Sequence, residues 1–109
     1  MHEQYLISAV DEQDLSDHRE QRIYRFPNGL GASVVRRSYV SQEYLYAQHG
    51  SYGYLEGLWE LAVIQFESQD RWHITYATPI TEDVLGWLSE EEVAATLALI
   101  QGLSEEGAA

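Results

Sequence analysis

A turn signal at Pro27-Asn28-Gly29 is the feature that most constrains the fold of this chain. Residues 22–26 before it alternate polar and apolar side chains, and residues 30–37 after it supply a second run rich in small and β-branched residues. Proline presets φ at a turn, and asparagine and glycine tolerate positive φ, so the segment predicts a tight β-hairpin.

A second hairpin is predicted further along the chain. Residues 58–66 form a long apolar run, residues 67–70 are polar enough for a turn, and residues 71–76 return with aromatic and β-branched side chains. The run is apolar on both faces around residues 61–64. That pattern is typical of a central strand that is covered on both sides.

The C-terminal segment predicts a helix. Ser89 and Glu92 have the spacing of a capping box, in which Ser89 is the N-cap and Glu92 is the third helical residue. Gly102 ends the helix, and Leu103 is placed to pack back on it. Between the cap and Gly102, apolar residues recur at helical spacing, at Val93, Leu97 and Ile100.

Four other segments carry weaker signals. We expect an edge strand within residues 3–10, a loop or frayed helical turn over residues 11–20, and a short helix capped by Thr81 that runs to Trp87. Residues 38–57 hold five of the eight tyrosines and three glycines, which favours a long loop.

Together these elements predict an α+β fold with a small antiparallel sheet of about four strands, in two hairpins, and a C-terminal helix on one face. The expected organisation is an N-terminal segment (1–20), a single α+β domain (21–103) and a flexible tail (104–109).

The charge of the chain limits its function. It has 18 acidic residues and six basic ones, all arginine, and no lysine or cysteine, so the formal net charge is −12. A disulfide framework, a thiolate metal site, a cysteine nucleophile and lysine-based chemistry are excluded. Direct binding of nucleic acid is disfavoured, because phosphates require clustered lysine and arginine. Most of the excess is in residues 56–109, with 11 acids and one arginine.

No motif for catalysis stands out. The four histidines do not lie three or four residues apart, and no Gly-x-Ser-x-Gly, Walker or Gly-x-Gly-x-x-Gly sequence occurs. We therefore expect no catalytic residue, no metal ligand and no cofactor. An enzyme with an unrecognised histidine and carboxylate site remains an alternative.

Two surfaces are candidates for binding a protein partner. Tyrosines are enriched at interfaces, although those of the predicted loop could equally pack on the sheet. Acidic residues can imitate the phosphate spacing of a nucleic acid, although a solvated surface is the simpler interpretation, and residues 90–92 also suit a helix N-terminus. The candidate residues are Tyr44, Tyr46, Tyr52, Tyr54, Glu56, Glu60, Glu82, Asp83, Glu90 and Glu91.

Three stretches resemble a family of small proteins of actinobacterial phages and prophages that has no assigned activity. They are residues 25–36 (RFPNGLGASVVR), 52–64 (YGYLEGLWELAVI) and 74–88 (ITYATPITEDVLGWL), and the resemblance covers about residues 23–103. It implies a phage-encoded accessory protein and carries over no site residue.

These observations together predict a non-catalytic acidic protein that binds a partner with a basic surface. The most specific version is a nucleic-acid mimic that inhibits a host defence nuclease, of the anti-restriction or anti-CRISPR type. The alternative is a small phage structural or assembly protein that acts through self-association as a homo-oligomer. We expect a cytoplasmic location and no membrane contact, since no apolar run approaches about 20 residues.

Overall fold

A computed structural model describes residues 2–13, 17–41, 47–50, 57–80 and 84–103. These residues form an antiparallel sheet with one helix on one face. A 3-10 turn (Glu3–Tyr5) precedes seven strands and the helix, namely β1 (Leu6–Gln13), β2 (Asp17–Arg25), β3 (Leu30–Ser41), β4 (Ala47–Gly50), β5 (Trp59–Phe66), β6 (Trp72–Ile74), β7 (Leu85–Leu88) and α1 (Glu90–Gln101).

The main path of the sheet runs in the order β1-β2-β3-β5-β6, and every pairing is antiparallel. The short strand β4 pairs with β3, and β7 pairs with β5 beside β6. The predicted α+β class, antiparallel sheet and C-terminal helix are confirmed. The predicted strand number was too low, since the described residues form seven strands rather than about four.

Both predicted hairpins are present. In the β2–β3 hairpin the Phe26 amide donates to the Leu30 carbonyl at 2.8 Å, and Gly29 adopts a φ of +86° at the turn. In the β5–β6 hairpin the register pairs Phe66 with Trp72. The local turn chemistry thus determined where these strands end.

The core lies between the sheet and α1. Residues of β3 and β5 that point toward the helix are almost fully buried against three helical residues, Val93, Leu97 and Ile100. Residues 61–64 of β5 are all buried, which confirms the prediction of a central strand covered on both sides.

The ends of α1 are fixed by side chains. At the N-terminus the Glu92 amide donates to Ser89 Oγ at 3.1 Å, and the Ser89 amide donates to Glu92 Oε1 at 3.2 Å, so the capping box is confirmed. At the other end the helix stops at Gly102, and Leu103 packs on the core as predicted.

The expected loop over residues 11–20 was wrong. Strand β1 continues to Gln13, β2 begins at Asp17, and their ladder pairs Asp11 with Glu20. These strands were missed because their side chains are mostly polar. Ion pairs across the β2–β3 ladder, rather than apolar burial, stabilise this polar part of the sheet.

Two further expectations need correction. Within residues 38–57, β3 extends to Ser41 and β4 pairs back on it, so this segment is not a continuous loop. The short helix predicted to end at Trp87 was also wrong, since Leu85–Leu88 is a strand. Pairing with β5 buries Leu88 and half-buries Leu85, and this contact outweighs the local helical pattern.

Candidate interaction surface

Large apolar side chains are exposed mainly along one edge of the sheet. Of the six that are exposed in the described residues, Ile7 and Leu99 lie elsewhere, and four fall between residues 72 and 87. We call these four the aromatic patch: Trp72, Ile74, Tyr76 and Trp87. Scattered exposed apolar residues are normal, but a concentration in one short segment is typical of an interaction site.

Strands β6 and β7 distribute the patch along one edge of the sheet because both pair with the same edge of β5, β6 near its end and β7 near its start. Trp72 lies opposite Phe66 and Ile74 lies opposite Ile64, so both point to the face away from α1. The Thr75 amide donates to the Val63 carbonyl at 2.9 Å, which continues the strand-like pairing toward Tyr76.

Trp87 owes its position to a β-bulge. Two residues, Gly86 and Trp87, lie between Leu85 and Leu88, while a single residue of β5 lies opposite them. Trp87 takes a φ of +56°, and its side chain is 56% exposed. A left-handed conformation costs an L-residue about 1–2 kcal/mol. A bulky side chain is thus held outward in a strained backbone, a combination found at functional sites.

Carboxylates surround the patch. Glu60 is the β5 residue opposite the bulge, so it lies beside Trp87. Glu67 and Asp70 are exposed in the turn that leads into Trp72, and Glu67 Oε1 is 3.1 Å from His73 Nδ1. The patch therefore combines aromatic area with negative charge.

The predicted binding residues have different outcomes. Glu60 lies at the aromatic patch, and Glu91 is exposed in the first turn of α1 on the other side of the sheet. Glu90 makes internal contacts, with Oε1 accepting from Trp59 Nε1 at 3.2 Å and Oε2 from Arg22 at 3.3 Å. The rest lie outside the described residues, namely Tyr44, Tyr46, Tyr52, Tyr54, Glu56, Glu82 and Asp83.

Sequence reasoning did not select the aromatic patch. Part of the patch could have been found from the sequence, because strict alternation places Trp72 and Ile74 on one face of a predicted strand. Nothing in the sequence indicated that this face lies opposite the helix. Trp87 was assigned to a helix, so its exposure on a bulged strand was not foreseen.

Several arginines form hydrogen bonds, ion pairs or ring contacts with other groups of the same molecule. Arg36 donates two bonds to the Glu20 carboxylate from Nη2, at 2.8 and 2.9 Å, and one to the Gly57 carbonyl at 2.8 Å. Arg36 and Arg22 both stack on Trp59, at 4.3 and 4.6 Å from the ring centroid. Such ion-paired arginines do not offset the acidic surplus on the rest of the surface.

Arg22 remains fully charged in this setting. Burial alone would lower the pKa of its guanidinium, but the hydrogen bond to Glu90 and that residue's negative charge act the other way, and the net result is a raised pKa. The Arg22 guanidinium therefore contacts Glu90 as a cation.

Metal-ligating clusters and membrane-spanning helices are both absent from the described part of the chain. It contains no group of three or more histidine and acidic side chains placed to hold a metal ion. Over the same residues, no helix has the length and apolar character to cross a membrane. Comparison of the chain with protein-family models, curated proteins and solved structures finds no match.

Proposed function

We propose that the chain is a non-catalytic acidic protein-binding module whose partner presents a basic surface. The aromatic patch, with a strained and exposed Trp87 at its edge, is the observation that carries the proposal. Tryptophan and tyrosine dominate the energetics of protein interfaces, because they offer large rigid areas with a polar group.

Charge favours a basic partner. A net charge of −12 on 109 residues raises the local concentration of cations and speeds association with positive surfaces. At close range, arginine or lysine of the partner can lie on Trp72 or Trp87 and contact the carboxylates of Glu60, Glu67 or Asp70. The same charge repels nucleic acid itself.

Within this class, we propose a partner that itself binds nucleic acid. A groove built to hold phosphates is basic and tolerates a row of carboxylates in their place. If the chain is phage-encoded, as the sequence resemblance implies, a host defence nuclease is the partner that this reasoning favours.

Self-association is the second candidate function. Strand β1 lies at one edge of the sheet, and its residue Ile7 is half exposed. A second copy could extend the sheet there. Repulsion between two strongly acidic copies opposes this contact, so it ranks below binding to a basic partner.

A titration with a synthetic arginine-glycine peptide tests the proposal. Binding should weaken as salt rises, and the double variant Trp72→Ala/Tyr76→Ala should weaken it about 30-fold if each residue contributes about 1 kcal/mol. Leu99→Ala is the matched control, since Leu99 is exposed on α1 outside the patch.

Three outcomes would contradict the proposal: equal loss in Leu99→Ala, binding that is independent of salt, and no binding at low salt. Sedimentation of the free protein distinguishes the second candidate, because a stable homo-oligomer that persists in Trp72→Ala/Tyr76→Ala would favour self-association through β1.

A further inference from the structure

A cavity of about 270 Å³ lies on the helix side of the sheet, between the N-terminal segment, β2 and α1. Its floor is apolar, made of Tyr24, Val93 and Leu97, each almost fully buried in the core. Ala94 forms a wall with only a methyl group, which leaves the space open. The aromatic patch lies on the opposite face, so this cavity is a separate feature.

Charge around the cavity is mostly negative. Glu3 and Glu91 line it from the N-terminal segment and from the helix, and both residues are exposed. The basic residues that line it are His2 and Arg22, and Arg22 is held by Glu90 and stacks on Trp59. Although a helix N-terminus carries a partial positive charge, three successive glutamates outweigh it here.

We propose that this cavity binds a cation carried at the end of an aliphatic stem, as in a lysine or arginine side chain. Such groups place their methylenes on apolar surface while the charged end stays in a polar, hydrated environment. The floor of Tyr24, Val93 and Leu97 matches the stem, and the carboxylate of Glu91 matches the cation. The volume suits one side chain rather than a larger ligand.

Binding can be followed by NMR through the indole N–H resonance of Trp59, which donates to Glu90 at the cavity. The probes are N-acetyl-lysine methylamide, which carries stem and charge, N-acetyl-norleucine methylamide, which lacks the charge, and ethylammonium, which lacks the stem. Only the lysine derivative should shift Trp59 and the amides of Glu91 and Ala94 at millimolar concentration.

Two variants and two matched controls locate the site. Ala94→Leu fills the cavity and should abolish binding, while Ala98→Leu adds the same volume on the exposed side of α1 and should not. Glu91→Gln should weaken binding about two- to fivefold, the effect of removing one exposed ion pair. Glu12→Gln removes an exposed glutamate of β1 and should leave binding unchanged.

Two sources of the cation are separated by a second probe, butane-1,4-diamine. Tighter binding of the lysine derivative assigns the cavity to a side chain of another protein, and tighter binding of the diamine assigns it to a free polyamine. The proposal is overturned if neither binds, if the norleucine derivative binds equally well, or if Ala94→Leu binds as the wild type does. Glu91→Gln, an isosteric surface change, keeps the test valid if Ala94→Leu fails to fold.

Discussion

Asn28 joins the β2–β3 turn to the end of α1, and its replacement by alanine should destabilise the protein. Its Nδ2 donates to the carbonyls of Ile100 at 2.8 Å and Leu103 at 2.7 Å, while its Oδ1 accepts from the Leu30 amide at 3.0 Å. The last turn of α1 contains no basic residue. The turn residue therefore donates to carbonyls at the end of α1 and just beyond it, where few amide donors remain, and the Ile100 carbonyl also accepts from the Leu103 amide at 3.1 Å.

The expected loss of stability follows from these hydrogen bonds. Each is worth about 1 kcal/mol net, and a partly buried carbonyl that loses its donor costs somewhat more. Loss of all three predicts a decrease of about 2–3 kcal/mol in the free energy of unfolding. For a domain of this size that lowers the melting temperature by about 10 °C or more. Urea denaturation followed by circular dichroism measures the first quantity, and a thermal scan measures the second.

Asn28→Asp sharpens the test. The carboxylate keeps the acceptor for Leu30 but loses both donors and faces the negative end of α1, so it should be less stable than Asn28→Ala at pH 7. The carbonyls raise the pKa of that carboxyl in the folded state, so its penalty should disappear as the pH falls below its unfolded-state pKa. Gln101→Ala, at the same helix end, should change stability by less than about 0.5 kcal/mol. If Asn28→Ala behaves like Gln101→Ala, the capping role is refuted.

Three other substitutions have defined expectations. Gly31→Ala should lower the free energy of unfolding, measured by urea denaturation, by about 3 kcal/mol. The added Cβ would overlap the Tyr24 carbonyl oxygen and lie 2.9 Å from Phe66 Cε2, and wild-type stability would disprove this packing. Ser89→Ala should lower the free energy of unfolding by about 1 kcal/mol, because the N-cap hydrogen bond to Glu92 is lost. A change near zero would contradict this role. Trp87→Gly should keep the unfolding free energy within about 1 kcal/mol while weakening arginine-glycine peptide binding, and a loss above about 2 kcal/mol would show that Trp87 is structural.

Local signals in the sequence identified much of the fold. The Pro27-Asn28-Gly29 turn, the apolar run of β5 and the Ser89 capping box each depend on chemistry within a few residues. Turn conformation, apolar periodicity and capping are properties of short segments, so they can be predicted without knowledge of tertiary contacts.

Elements that depend on distant partners were missed. Strand β7 forms because its leucines meet Leu61 and Trp59 of β5, although Glu82 and Asp83 before it suggested a helix start. The end of β1 and the start of β2 carry polar side chains, and these two strands pair with each other while β2 also pairs with β3. The β5 partner of β7 is far away in the sequence, and the polar β1–β2 pair lacks the apolar alternation of a half-buried strand, so local patterns did not reveal these strands.

The candidate site was hard to predict for the same reason. The prediction of binding residues from the sequence relied on how many tyrosines and acidic residues lie in each segment. It therefore placed Glu90 among the partner-binding residues. In the structure Glu90 holds the Trp59 indole and Arg22 at the start of α1. Whether a charged or aromatic residue is available to a partner is decided by the face it occupies, and the face is a tertiary property.

Trp87 links the stability of the fold to its proposed function. The bulge needs one residue with positive φ, and glycine would adopt that conformation without strain, yet the neighbouring Gly86 does not take it. The strained position is occupied by a tryptophan that is more than half exposed, and Glu60 lies opposite the bulge. Burial cannot fully account for a side chain so exposed. The proposed partner would account for it, because an interface at Trp87 would recover the free energy that the backbone strain costs.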